Sequence, residues 1–206
     1  MSIDTSLPNS HDPSITQDPQ TRNAVFSALS GRQSAEMGST DSSVRGMLIA
    51  AFGTAKRDPS RPDVKAAAKG LGVTTRTVQR WIAAEGKQRH KPKASTLGKL
   101  TKRARQAVTT RRGRAAAVKA ARQKYATGAR VTTTGTQGIS QDYARPRTVS
   151  FDFDTPEMAQ SFFDAYEKGG EKGVMNFLNS RADEGYGVPS WYVENLDSIT
   201  LSQPYS

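Results

Sequence analysis

"GLGVTTRTVQRWI", residues Gly70 to Ile82, is the stretch on which the fold turns. A glycine pair marks a turn, and the residues after Thr74 fall at helical spacing. A helix-turn-helix needs a small residue where its two helices nearly touch and a glycine in the turn. It also needs apolar residues that pin the second helix to the first. Ala68 supplies the close contact, Gly72 the turn, and Leu71, Val73, Val78 and Trp81 with Ile82 the pins. With Thr74 as N-cap, Thr75, Arg76, Gln79 and Arg80 share the face opposite Val78. Arginine matches guanine edges and glutamine adenine edges, and threonine suits phosphates or a thymine methyl. The first turn of a recognition helix is where base edges are reached.

Working outward, "SVRGMLIAAFGTAK" (43–56) places Val44, Met47, Leu48, Ala51, Phe52 and Ala55 on one helical stripe. Ser43 caps this predicted helix and the DPSRPD run, 58–63, ends it; Pro62 then suits the first turn of a helix over Asp63–Lys69. Together with a helix from Thr75 to Ala84, these make a three-helix bundle with a small core: Val44, Leu48, Ala51, Phe52, Val64, Ala67, Ala68, Leu71, Val73, Val78, Trp81 and Ile82. Residues 1–42 are rich in Ser, Thr, Asp, Pro and Gln and read as disordered, apart from a weak helical turn around Asn23–Leu29.

The charge is segregated along the chain. Of a net +11, residues 1–60 carry −1, residues 61–147 carry +19 and residues 148–206 carry −7. So basic a middle implies a polyanionic partner, nucleic acid first. Its predicted phosphate contacts are Lys87, Arg89, Lys91 and Lys93 after the recognition helix, then Lys102, Arg103, Arg105, Arg111 and Arg112. The acidic tail is expected to fold back on this middle and moderate non-specific binding.

From Ser95 to about Arg130 the chain is helical in propensity, with Leu97, Leu100, Ala104, Ala107 and Val108 on a thin apolar stripe. Gly113 is expected to interrupt it, and Val118, Ala121 and Tyr125 continue a second stripe. "ARVTTTGTQGIS" (129–140) reads as a hairpin punctuated by Gly135 and Gly138, and "RTVSFDFD" (147–154) as a half-buried strand. "TPEMAQSFFDAYEKG" (155–169) starts a helix at Thr155–Pro156 that buries Met158, Phe162, Ala165 and Tyr166, with Phe163 at its edge. A second helix buries Val174, Phe177 and Leu178, and "WYVENLDSITLSQ" (191–203) is extended, with Trp191 in the core. The expected fold is mainly α with a small α+β tail. Residues 43–94 form the helix-turn-helix DNA-binding domain, 95–127 a basic helical connector, and 128–206 a β-(β)-α-α-β unit.

Other chemistry is sparse. Cysteine is absent, so there is no disulfide framework and no thiolate zinc site. His11 and His90 lack acidic company. Asp152 and Asp154 share a strand face, which suits either Mg²⁺ or, more simply, solvent beside a buried Phe151 and Phe153; no metal, cofactor or catalytic residue is assigned. No P-loop or nucleophile elbow is present. No apolar run is long enough to span a membrane, and "MSIDTSLPNSHDPSITQDPQ" (1–20) is not a signal peptide. A cytoplasmic, nucleoid-associated non-enzyme is expected.

"AAAKGLGVTTRTVQRW" (66–81), the basic Pro-containing run, "LGKLTKRARQAV" (97–108), "ATGARVTTTGTQG" (126–138) and "RTVSFDFDTPEMAQSFFDAYEKG" (147–169) together resemble the telomere-associated terminal proteins of Streptomyces linear chromosomes and plasmids. The likeness covers roughly residues 45–200. It implies a protein that caps the 5′ ends of a linear actinobacterial replicon, recognises telomeric ends or their single-stranded overhang, and works with a telomere-associated partner protein. It also implies priming of end-patching synthesis by a DNA polymerase, through covalent attachment of a nucleotide to a threonine hydroxyl. Gly128, Val131, Thr133 and Gly138 match the family's attachment pattern, which makes Thr133 the candidate, with Thr132 and Thr134 as neighbours. Thr134-Gly135 stands where the family has a charged and a small residue, and the N-terminal extension is longer. A primer hydroxyl must be exposed, mobile and close to cations. The residues by themselves also suit a helix-turn-helix transcriptional or plasmid-maintenance regulator, whose C-terminal domain forms a homodimer.

Overall fold

The computed structural model describes residues 19–32, 43–83, 91–186 and 191–204. Among them the chain is mainly helical with a small antiparallel sheet. Helix α1 spans Pro19–Ser30, α2 Val44–Phe52, α3 Val64–Leu71, α4 Thr75–Ala83, α5 Ala94–Thr109, α6 Arg111–Lys124 and α7 Pro156–Tyr186. A two-stranded hairpin, β1 (Thr54–Ala55) and β2 (Asp58–Pro62), joins α2 to α3. The main sheet uses β3 (Ala129–Gly138), β4 (Arg145–Phe153), β5 (Tyr192–Val193) and β6 (Ser198–Ser202).

The helix starts follow local chemistry. Ser43 Oγ accepts from the Gly46 amide at 3.0 Å, Asp63 Oδ1 from Ala66 at 2.9 Å and Thr155 Oγ1 from Met158 at 3.2 Å. Each satisfies one of the amides that a helix N-terminus leaves without an intrahelical partner. Two predicted boundaries move. Gly53 ends α2 after Phe52, and the run read as a breaker is β2, with Pro62 its last residue and Asp63 the cap of α3.

Every residue expected in the bundle core is buried there or packed against it. Ile49 and Ala50 are buried as well, because α5 packs on α2. The same apolar cluster continues through Leu100, Ala104 and Val108 of α5 and Val118 of α6 to the sheet.

Strand β3 is the centre of the sheet. It pairs with β4 along its whole length, Ala129↔Phe153 to Gln137↔Arg145, and its other edge is shared by β6 and β5. The expected hairpin within 129–140 is instead this one strand. Gly135 lies mid-strand because a Cβ there would run into the Asn195 carbonyl oxygen. The turn falls after Gly138, with a short 3-10 segment at Gln141–Tyr143 before β4.

One face of the sheet is apolar: Val131, Val149, Phe151, Phe153 and Ile199 are all buried. It is covered by α7 and α1. Phe153 meets Phe162 at 5.3 Å and Phe177 at 5.4 Å between ring centroids, and Phe163, expected at an edge, is fully buried. Helix α7 is two helices kinked at Gly170, whose φ of 65° and ψ of −142° no helix accommodates.

Helix α1 extends the weak helical turn expected at Asn23–Leu29 and corrects the expectation of disorder for the residues beside it. Val25, Phe26 and Leu29 are fully buried against α6, α7 and β6, and Thr21 Oγ1 accepts from the Leu196 amide at 3.0 Å. Five apolar residues in twelve, two of them alanines, carry little hydrophobic pattern, yet here they complete a layer that would otherwise face water.

Gly113 does not interrupt a helix either. The break is at Thr110, whose side chain caps α6 through the Gly113 amide at 3.0 Å. Gly113 lets the first turn of α6 lie against the end of α5, where a Cβ would strike the Gln106 carbonyl oxygen.

Beside this corner sits the buried Arg114. It donates to the Val108 and Thr109 carbonyls at the end of α5 (3.3 and 3.0 Å). It also donates to those of Glu167 (3.1 and 2.8 Å) and Lys168 (3.0 Å) before the α7 kink. Arg114→Ala should therefore cost at least about 3 kcal/mol in urea unfolding, with Lys recovering only part of it for want of the planar fork. Phe26→Ala should cost about 3–5 kcal/mol in the same assay if α1 is core, and nothing if it is a loose arm.

Candidate nucleic-acid interface

The two helices of the opening stretch meet through a three-residue turn. Gly72 adopts the left-handed conformation (φ 68°, ψ 38°) that favours glycine, and the Val73 amide returns to the Ala68 carbonyl at 3.1 Å. Ala68 is buried in the close contact expected of it. Thr74 caps α4, accepting from the Thr77 amide at 3.2 Å. Its hydroxyl lies 2.9 Å from that of Thr77.

Val78 is fully buried and Trp81 nearly so, which pins one side of α4 to the bundle. The other side presents Thr75, Arg76, Gln79 and Arg80, all exposed. These four, picked out by helical spacing, do share one open face. None of them has an ion-pair or hydrogen-bond partner among the described residues. Helix α4 contains no carboxylate, and between Val64 and Gln141 the sequence has a single one, Glu85.

The predicted phosphate contacts divide. Lys87 and Arg89 lie outside the described residues, as do His11 and His90. Lys91, Lys93, Lys102, Arg105, Arg111 and Arg112 are exposed. Arg103 is exposed too, but its guanidinium stacks 5.7 Å over the Phe52 ring and so also serves packing.

Other cations are committed internally. Arg122 pairs with Asp164 at 2.7 Å and Glu167 at 2.9 Å, Arg22 with Glu171 at 3.1 Å, and Arg130 with Asp152 at 3.3 Å. The acidic tail thus meets the basic middle as α7 and β4 inside the fold. Residues 148–206 also supply most of β4 with all of β5 and β6, so the tail is part of the sheet.

The threonine run sorts by strand alternation. Thr133 is fully buried on the core face, donating to the Val149 carbonyl at 3.3 Å and accepting from Gln137 Nε2 at 3.1 Å. It does not meet the requirement of exposure. Thr132 and Thr134 lie half-buried on the open face, their hydroxyls 2.9 Å from Ser150 and 3.0 Å from Thr148. Thr136, Ser198, Thr200 and Ser202 continue that face, which is rich in hydroxyls and ends in the Arg130–Asp152 pair.

Nothing on this surface resembles an acid–base or metal centre. Among the described residues no cluster of three or more acidic or histidine side chains is placed to hold a metal ion. Burial pushes the Tyr166 phenol well above its ordinary range, which keeps it protonated. No described helix is long and apolar enough to cross a membrane.

The sequence reading missed the basic hairpin tip beside α4, Lys56–Arg57. The signal was there, two cations before a Pro-rich run, but it was absorbed into the end of a helix.

Comparison with known proteins adds no assignment: no family model, no curated protein and no solved structure matches this chain. The geometry predicts that Thr74→Ala costs about 1 kcal/mol in thermal unfolding and speeds amide exchange at Thr77, whereas Thr75→Ala does neither.

Proposed function

We propose that this chain is a DNA-binding protein that seats α4 in the major groove. Thr75, Arg76, Gln79 and Arg80 face the base edges, and the cations of α5 and of the segment before it grip phosphates. The observation that carries this reading is the two-sidedness of α4: pinned by Val78 and Trp81, it turns outward four donor-rich side chains and no acid. Carboxylates there would repel phosphates, and an ordinary surface helix has several.

Gel retardation with duplex and hairpin oligonucleotides tests it. Arg76→Ala and Arg80→Ala should each weaken binding by about 1–3 kcal/mol and leave the unfolding midpoint unchanged. Retention of full affinity by the double variant would overturn the assignment of α4.

We further propose the narrower role implied by the sequence resemblance, that of a terminal protein whose hydroxyl primes synthesis at a replicon end. Support comes from the hydroxyl-rich sheet face. A threonine oxygen there would attack the α-phosphorus of a deoxynucleoside triphosphate, forming a phosphodiester and releasing pyrophosphate, with the polymerase taking the proton. The chain is then a polymerase substrate and not an enzyme. Exposure moves the attachment from Thr133 to Thr132 or Thr134. Incubation with labelled deoxynucleotide, polymerase and telomeric template should label the protein, and Thr132→Val with Thr134→Val should abolish the label while Thr133→Val keeps it. If nothing is labelled, the regulator reading stands on the same α4; a dimer is then expected, bound to half-sites about 34–36 Å apart.

A further inference from the structure

We propose that the β1–β2 hairpin is a second DNA-contacting element, a basic wing that holds the phosphate backbone beside the groove occupied by α4. The inference rests on the DNA-binding reading above and adds a contact that this reading does not contain.

Three observations carry it. The first is the tip. Ala55 pairs with Asp58, so Lys56 and Arg57 are the two central residues of a tight turn, both exposed and neither with an ion-pair partner among the described residues. Neither residue has positive φ, so the turn takes two long cationic side chains without backbone strain and directs both into solvent.

The second is position. Lys56 and Arg61 of the hairpin, Asp63 and Lys65 at the start of α3, and Gln79 of α4 line one cleft. Gln79 belongs to the face proposed to meet base edges. A strand of DNA running past that face therefore passes the hairpin.

The third is rigidity. Arg45 of α2 donates through Nε (3.2 Å) and Nη2 (2.8 Å) to the Ser60 carbonyl, and the Ser60 amide and hydroxyl bind Asp58 Oδ1 at 3.0 and 2.6 Å. The Asp63 amide closes the base of the hairpin on the Gly53 carbonyl at 2.9 Å. These bonds hold Asp58 and its charge within β2, where it faces Arg61 at a loose 3.9 Å and leaves Lys56 and Arg57 unopposed. A hairpin anchored at its base and along β2 has less backbone freedom to lose when its tip meets phosphates.

The test compares binding of the full chain to a ~30-base-pair mixed-sequence duplex over a range of salt concentrations. Neutralising the tip with Lys56→Ala and Arg57→Ala should reduce the slope of log affinity against log salt by about 1.8, and lower affinity about tenfold or more near ~0.1 M salt. The charge-preserving exchange, Lys56→Arg with Arg57→Lys, should restore both and separates charge from turn geometry. Wild-type slope and affinity in the neutralised variant, with binding lost in Arg76→Ala/Arg80→Ala, would overturn the wing and leave α4 standing. Absence of binding by the unaltered chain at low salt would overturn the DNA-binding reading and the wing with it. Weakened binding that the charge-preserving exchange fails to restore would make the tip a structural turn and also refute the proposal.

Discussion

A single buried guanidinium holds the two halves of this molecule in register. Arg114 reaches from the first turn of α6 to the last carbonyls of α5 on one side and to the carbonyls before the Gly170 kink of α7 on the other. Both are helix C-terminal ends, where unpaired carbonyls gather partial negative charge, so a cation between them is favoured twice over. Five hydrogen bonds offset the cost of taking the charge out of water. The Tyr166 ring, 5.9 Å from the guanidinium carbon, closes the site. Because α5 also packs on α2 and α3, fixing its end fixes the helix-turn-helix relative to the sheet.

That arrangement sorts the charge. The cations nearest the acidic helix α7 are used internally: Arg114 caps it and Arg122 bridges Asp164 and Glu167. Those on α4 and α5, with Lys56 and Arg57 at the hairpin tip, have no ion-pair partner among the described residues and face outward. A chain of net charge +11 thereby gathers its unpaired cations on α4, α5 and the hairpin tip. Such an asymmetry draws a polyanion to one side and raises its encounter rate, an effect that weakens with salt.

Much of this was legible in the amino-acid order. The helix-turn-helix, its caps at Ser43 and Thr74, the Thr155 cap of α7 and the outward face of α4 follow from spacing and from cap chemistry, which act over a few residues. Strand β4 was plain for the same reason, since Val149, Phe151 and Phe153 alternate with polar residues. What was hidden depends on distant partners. Gly113 and Gly135 read as breaks, but each is set by a backbone that approaches from elsewhere in the sequence. Helix α1 is too weakly patterned to announce itself and is held in the core by α6, α7 and β6. Arg114 stands among many exposed arginines, and nothing local marks it as the one that is buried. Thr133 fits the attachment pattern of the family that the sequence resembles, but strand alternation points it inward. The hydroxyl face could be recognised only once β3 had been paired with β4 and β6.

The account makes one surface, centred on α4, the seat of DNA. Backbone amide shifts recorded by NMR while duplex DNA is titrated into the full chain test this most directly. The account predicts perturbations clustered on α4, the β1–β2 hairpin and the outward side of α5, with the sheet and α7 little changed. Shifts confined to the sheet, or none at all in low salt, would contradict it.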